Sequence, residues 1–166
     1  MEPYYKLVPY AISNKTKQEL LDIATAPDAF VDISYKISFF KRPSTIQKFN
    51  TTGLNCTCQM LRVTESGSTI HKDRNRYNEF DNLYMPRQTV ISFALTSNCG
   101  ETYFYDDNKN FVCKANYEGQ GAILNTGQCF HNVHFTKDNN TRIVFQLCFE
   151  ETFEQVCKIY NKEIVI

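Results

Sequence analysis

The chain has 166 residues, enough for one domain with a hydrophobic core of its own. Its 18 basic and 18 acidic residues cancel, which argues against a broad phosphate-tracking surface and against an acidic disordered tail. Aromatic residues are frequent (13 Phe and 10 Tyr), and with many β-branched neighbours they favour sheet over a helix bundle.

The opening "MEPYYKLVPYAI" has neither the apolar run nor the small-residue cleavage site of a secretory leader. The expectation is a cytoplasmic protein whose seven scattered cysteines are free thiols and whose Asn-x-Ser/Thr sites are unused. No apolar stretch is long enough to span a bilayer, so no membrane partner is expected. Residues 13–26 read as a helix with one apolar side, Thr16 and Glu19 having the capping-box spacing and Pro27 stopping it. Residues 31–41 read as a strand or two short ones, and 44–54 as a polar loop. Short strands then follow one another: 56–63, 68–73, 88–95, 101–106, 110–117, 121–125, 129–135 and one beginning near Arg142. Turns separate them, among them 98–100, 106–108, 118–119 and 137–140. Residues 74–87, polar, aromatic and aperiodic, read as a long loop. Many short, evenly spaced strands indicate a mainly β sandwich or barrel. The chain reads as a single domain over 1–166, its core roughly 56–149, with helical packing segments near 14–26 and 150–161.

The last strand divides cleanly by the period of two. Ile143, Phe145, Leu147 and Phe149 form one apolar face; Arg142, Val144, Gln146 and Cys148 form the other. The apolar face needs a cover, which the helix near 16–26 and a tail helix carrying Phe153, Val156, Cys157 and Tyr160 can supply. An arginine on the opposite, inward face needs a partner, either a protein carboxylate or a bound anion.

His71 and Asp73 are two residues apart on a predicted strand, so imidazole and carboxylate point the same way and can meet one metal ion. A third ligand must come from His131 or His134, which occupy opposite faces of their strand. Two histidines and one carboxylate make the facial triad that suits non-haem Fe(II), and the rigid fork of Arg142 suits a carboxylate.

"HKD" (71–73), "GAILNTGQCFHNV" (121–133) and "TRIVFQLCF" (141–149), in that order, resemble the 2-oxoglutarate and Fe(II)-dependent dioxygenases, especially their prolyl-hydroxylase-like branch. The resemblance covers roughly residues 56–149 and implies a double-stranded β-helix, a jelly-roll barrel of cupin type. It implies that His71, Asp73 and His131 hold Fe(II) and that Arg142 receives the far carboxylate of the cosubstrate 2-oxoglutarate. The activity implied is hydroxylation of a C–H bond, with O2 consumed, 2-oxoglutarate converted to succinate and CO2, and ascorbate a candidate reductant. Relatives carry a cosubstrate-binding tyrosine on the strand before H-x-D; this sequence departs there, with Met60 and Leu61 in its place. Tyr103 or Tyr105, or the hydroxyls of Thr69 or Ser92, are the substitutes. Arg74, Arg76 and Tyr77, directly after the metal-bearing strand, read as the lip of the substrate site.

Three functions compete. The first is hydroxylation of a residue in a protein or peptide, proline among the candidates. The second is a small-molecule or nucleobase oxygenase of the same superfamily, and the third a non-catalytic cupin-like metal- or ligand-binding protein, which has no use for an inward Arg142. A short H-x-D on a strand is more often structural, and His134 reads as a satisfied or exposed histidine. Double-stranded nucleic acid is not an expected partner, because Asp73 lies among the basic residues of 72–77 and Glu79 and Asp81 follow them.

Overall fold

The computed structural model describes residues 3–8, 12–34, 36–65, 67–97, 101–134, 141–160 and 166. The expected turns at 98–100 and 137–140 lie outside these residues, as does Cys99. In chain order the elements are β1 (Tyr5–Val8), α1 (Asn14–Ala24), β2 (Phe30–Ser34), β3 (Ile37–Phe40) and a 3-10 segment (Pro43–Phe49). Then come β4 (Thr57–Val63), β5 (Arg76–Asn78), β6 (Leu83–Met85), β7 (Thr89–Ala94), β8 (Glu101–Tyr105) and β9 (Phe111–Ala115). The chain ends with β10 (Gly121–Leu124), β11 (Phe130–His134), β12 (Arg142–Phe149) and α2 (Phe153–Ile159).

Two antiparallel sheets make the barrel. The larger has the order β1-β10-β7-β12-β4-β3-β2, and the smaller β11-β8-β9. The segment 67–73 extends the smaller sheet along β11 without forming a full strand. His71 and His131 exchange both backbone hydrogen bonds, at 3.0 and 2.9 Å, and the Gly67 amide donates to Val133. With that segment each sheet contributes four strands to a double-stranded β-helix: β10-β7-β12-β4 faces 67–73, β11, β8 and β9.

The faces of β12 lie as its alternation requires. Phe145, Leu147 and Phe149 join Ile91, Phe93, Met60 and Cys58 on the outer side of the large sheet, where Leu20 of α1 and Phe153, Val156 and Tyr160 cover them. Inside the barrel, Val90, Ala122, Leu124 and Cys148 meet Phe104, Ala115 and Tyr117. Val144, Leu61 and Val63 form a second inner patch with Ile37 and Phe39. The helices are therefore external padding, and the barrel interior is left for polar side chains at one end.

Local details depart from the sequence reading. The N-cap of α1 is Ser13, whose hydroxyl accepts from the Thr16 amide, so Thr16 lies inside the helix and no Thr16–Glu19 capping box forms. A capping box does form at α2, between Thr152 and Gln155. The polar stretch 44–54 contains the 3-10 turn because Ile46 and Phe49 fall on one buried side. The supposed loop 74–87 carries the hairpin β5–β6, turning at Asn82 with φ +50°. Tyr5–Val8 adds an edge strand beside β10.

One glycine positions the site. The backbone of Gly127, between β10 and β11, lies against residues 87–88, its amide donating to Gln88 at 3.1 Å. A Cβ there would stand 2.6 Å from the Gln88 carbonyl oxygen and 2.8 Å from its Cα, both backbone atoms with no room to yield. Among the described residues no helix is long and apolar enough to cross a membrane.

Burial assigns the stability of the barrel to the outer face of β12. Phe145→Ala should cost about 3–5 kcal/mol, against about 0.5 kcal/mol or less for Ile159→Ala. Phe145 is fully buried and Ile159 half exposed. Urea unfolding of both variants measures the contrast; equal losses would mean that the helices do not pack on that face.

Candidate metal centre

The segment 67–73 and β11 bring His71, Asp73 and His131 together, with one ligand atom of each within 4.8 Å of the others. The Asp73 Oδ1 lies 3.4 Å from Nε2 of His71 and 3.6 Å from Nε2 of His131. The two imidazole rings are tilted, with centroids 4.5 Å apart. Each ring donates its Nδ1 proton to the carbonyl two residues earlier: His71 to Thr69 at 2.6 Å, His131 to Cys129 at 3.1 Å. A carbonyl can only accept, so these bonds put a proton on each Nδ1 and turn the Nε2 atoms towards the carboxylate. Two imidazole nitrogens and one carboxylate oxygen, already aimed at a common point, fit a divalent first-row metal.

The second oxygen of Asp73 is held elsewhere. Arg87, at the mouth of β7, donates through Nη2 to Oδ2 at 2.7 Å, and both side chains are buried. The Nη1 of Arg87 reaches Gln146 Oε1 at 3.2 Å, and its own backbone amide is fixed by Asn75 Oδ1 at 2.8 Å. The Asp73 amide donates to Thr126 at 2.8 Å, which ties the metal-bearing segment to the turn at Gly127. Burial opposes ionisation of Asp73, but Arg87 and the two histidines outweigh it and hold the carboxyl well below the usual range. Burial pushes His131 down to about 4, against the pull of Asp73. Burial also disfavours the charged form of His71, yet Asp73 and the Thr69 carbonyl raise it on balance.

Arg142 sits on the floor of the same cavity, 3% exposed. Its Nη2 donates to the Tyr117 hydroxyl, which lies 3.2 Å from Ser92 Oγ; Gln146 Nε2 approaches Ser92 at 3.4 Å. Among the described residues no carboxylate pairs with Arg142, and its Nε has no partner. Thr126 Oγ1, also lining the cavity, is buried without one. A guanidinium and a hydroxyl lining about 520 Å³ of space, the guanidinium backed by the buried Tyr117 phenol, form a receptor for an anion.

Two sequence expectations for the cosubstrate site change. Tyr103 does not face the cavity: pairing with β11 turns Thr102 and Phe104 inward, and Tyr103 packs outside against Phe111 and His134 at 5.2 and 4.2 Å. Tyr105 shares that outer side, bonded to Asn132 at 2.8 Å. The phenol beside Arg142 is Tyr117, two residues beyond β9, which sequence reasoning passed over. Ser92 is buried behind it. Arg74, Arg76 and Tyr77 line the cavity mouth, and His134 points away from the triad. Arg87 was also missed; the signal was a charged residue opening an otherwise buried strand, "PRQTVISFAL". The six described cysteines are free thiols.

No protein-family model matches the chain, and no curated protein matches it in sequence. Solved structures do match in fold. HygX from Streptomyces hygroscopicus, with nickel, 2-oxoglutarate and hygromycin B bound, superposes at a TM-score of 0.55 with 10% identity, over 87% of this chain and 82% of that one. A prolyl hydroxylase from Trichoplax adhaerens, in complex with a peptide fragment of the hypoxia inducible factor oxygen degradation domain, gives 0.55 with 12% identity, over 97% and 89%. An oxidoreductase of the 2OG-Fe(II) oxygenase family from Burkholderia pseudomallei gives 0.54 with 14% identity, over 88% and 84%. At these identities the likeness is one of fold: the jelly roll of this chain is the one those oxygenases use.

Two measurements test the site. His71→Ala and His131→Ala should each abolish retention of Fe(II) or Mn(II), while His134→Ala retains it; metal kept by both single variants would dismantle the triad. The Arg87–Asp73 pair should appear in metal-free stability. Near neutral pH, Arg87→Met should lose about 3–5 kcal/mol, because it leaves a buried carboxylate alone. In the wild type the depressed carboxyl contributes stability that is present above its unfolded value, about pH 4, and lost below it. In the variant, burial raises the same carboxyl, so protonation relieves it and the deficit should shrink as the pH falls. Urea titrations in chelator at both pH values read this directly; a pH-independent deficit would contradict the pairing.

Proposed function

We propose that the protein is an Fe(II)- and 2-oxoglutarate-dependent dioxygenase that hydroxylates a C–H bond of a peptide residue, proline being the leading candidate. One observation carries the reading: the triad and an unpaired, buried Arg142 share one cavity. A metal-binding module has no need of a desolvated guanidinium without a carboxylate. An enzyme that holds a dicarboxylic cosubstrate beside its metal does. The support from known structures is that jelly rolls with the same architecture accommodate 2-oxoglutarate in HygX and a peptide in the prolyl hydroxylase.

His71, Asp73 and His131 would hold the iron, which when bound supplies the O2 chemistry. The chain's own residues do the positioning. Arg87 keeps Asp73 ionised and fixes one of its oxygens, so that the other is available as a ligand. Thr69 and Cys129 set the imidazole tautomers. Arg142, steadied by Tyr117 and Ser92, takes the far carboxylate of 2-oxoglutarate, and Thr126 offers a hydroxyl in the same wall. The aliphatic side chains of Ile37, Leu61 and Val63 keep water from the opposite wall of the cavity.

Arg142 separates this proposal from a purely structural role. Arg142→Ala should change unfolding free energy by about 1 kcal/mol or less. It should weaken 2-oxoglutarate binding to the Mn(II)-loaded protein by about 2–5 kcal/mol, roughly thirtyfold to a few thousandfold. Lysine should recover part of that, restoring the charge without the fork. Calorimetric titration and thermal unfolding measure the two effects. A large stability loss with unchanged titration would remove the cosubstrate role.

A further inference from the structure

The cavity mouth is chemically lopsided. Part of its lining is aliphatic: Ile33, Ile37, Leu61 and Val63. The lining also carries Lys72, Arg74 and Arg76, and among the described residues its only carboxylate is the metal ligand Asp73. Lys72 has a carboxylate neighbour, Asp107 at 3.6 Å. Arg74 and Arg76 have no carboxylate partner among the described residues. The Arg76 guanidinium lies over the Phe39 ring, 4.4 Å from its centroid, which holds the charge at the rim. Arg74 is exposed beside it.

The space is also long. A second cavity, about 340 Å³, shares Ile33, Phe39, Arg76 and Tyr77 with the first, so the two adjoin at Arg76. Asp32 and Glu79 border the far cavity. Asp32 is engaged by Ser38 and Arg62, whereas Glu79 is exposed. Ile33, common to both cavities, belongs to β2, the terminal strand of the large sheet, whose outer edge pairs with no other strand among the described residues. A trough beside a free sheet edge suits an extended chain better than a compact small molecule.

Building on the oxygenase reading, we propose that the prime substrate is an acidic peptide segment. An Asp or Glu side chain close to the reacting residue meets Arg74 and Arg76, and an aliphatic neighbour lies on the wall of Ile33, Ile37, Leu61 and Val63. A single-stranded nucleic acid is the competing polyanion, but this wall offers aliphatic side chains and few stacking rings, and the chain carries no net positive charge.

The test uses the full-length protein loaded with Mn(II) and 2-oxoglutarate, and labelled peptides with a central proline. One set is flanked by Asp and Glu, a second by Asn and Gln, and oligothymidylate serves as the polyanion control. Fluorescence anisotropy should show the acidic set binding about tenfold more tightly than its amide isosteres. The double variant Arg74→Gln, Arg76→Gln should erase that difference. Equal binding of acidic and amide peptides by the wild type, or tighter binding of oligothymidylate, overturns the inference. Succinate formation with the Fe(II) protein is read separately. Charge-selective binding without turnover under any substrate would uphold the peptide surface and sink the oxygenase reading. Turnover with no preference for acidic flanks would do the reverse.

Discussion

The two oxygens of Asp73 have different neighbours, and the site depends on that division. Oδ2 belongs to Arg87 at 2.7 Å, while Oδ1 faces the two Nε2 atoms. A buried carboxylate without the guanidinium would take up a proton and lose its value as a ligand. The pair also joins parts of the chain that are far apart in sequence. Arg87 leads into the inner strand β7, Asp73 ends the segment paired with β11, and the turn at Thr126 and Gly127 meets both, through the Asp73 amide and the Gln88 carbonyl. Burial makes the pair costly to form and costlier to break, which suits a group that must be held in one protonation state.

The barrel gives this arrangement its polar interior by placing its apolar mass outside. Phe145, Leu147 and Phe149 face the helices, and the opposite face of β12 is free to carry Arg142 and Gln146. Gln146 links the two arginines of the site: its Oε1 accepts from Arg87 and its Nε2 approaches Ser92, behind Arg142. Metal ligands and anion receptor are thus held by one connected set of hydrogen bonds.

Much of this was legible because it follows short-range periods. His71 and Asp73 share a face by the strand period, and β12 reveals an apolar side and a charged side by the same rule. The order of motifs singled out His131 over His134, and the structure places His131 in the cluster. What could not be read depends on register between strands. β8 has aromatic residues on both faces, so alternation alone cannot say whether Tyr103 or Phe104 points inward; pairing with β11 decides it. Tyr117 lies past the end of its strand, where periodicity gives no direction. Arg87 reads as the last polar residue of a loop; in the fold Asn75 fixes its amide and Gly127 bonds the next residue, Gln88. The hairpin β5–β6 has three-residue strands, too short for an alternating pattern to stand out.

Each histidine of the triad is steered by the carbonyl two residues before it, once from Thr69 and once from Cys129. The same local contact therefore occurs on both segments, and each ring is held by its own stretch of backbone as well as by its neighbours in the site. The bearing of each nitrogen travels with its own stretch of backbone, like a compass needle fixed to its card. What long-range folding has left to set is separation, through the paired amides of His71 and His131. Direction and spacing therefore have different sources in this centre: the first comes from contacts within each stretch of backbone, the second from the pairing between the two.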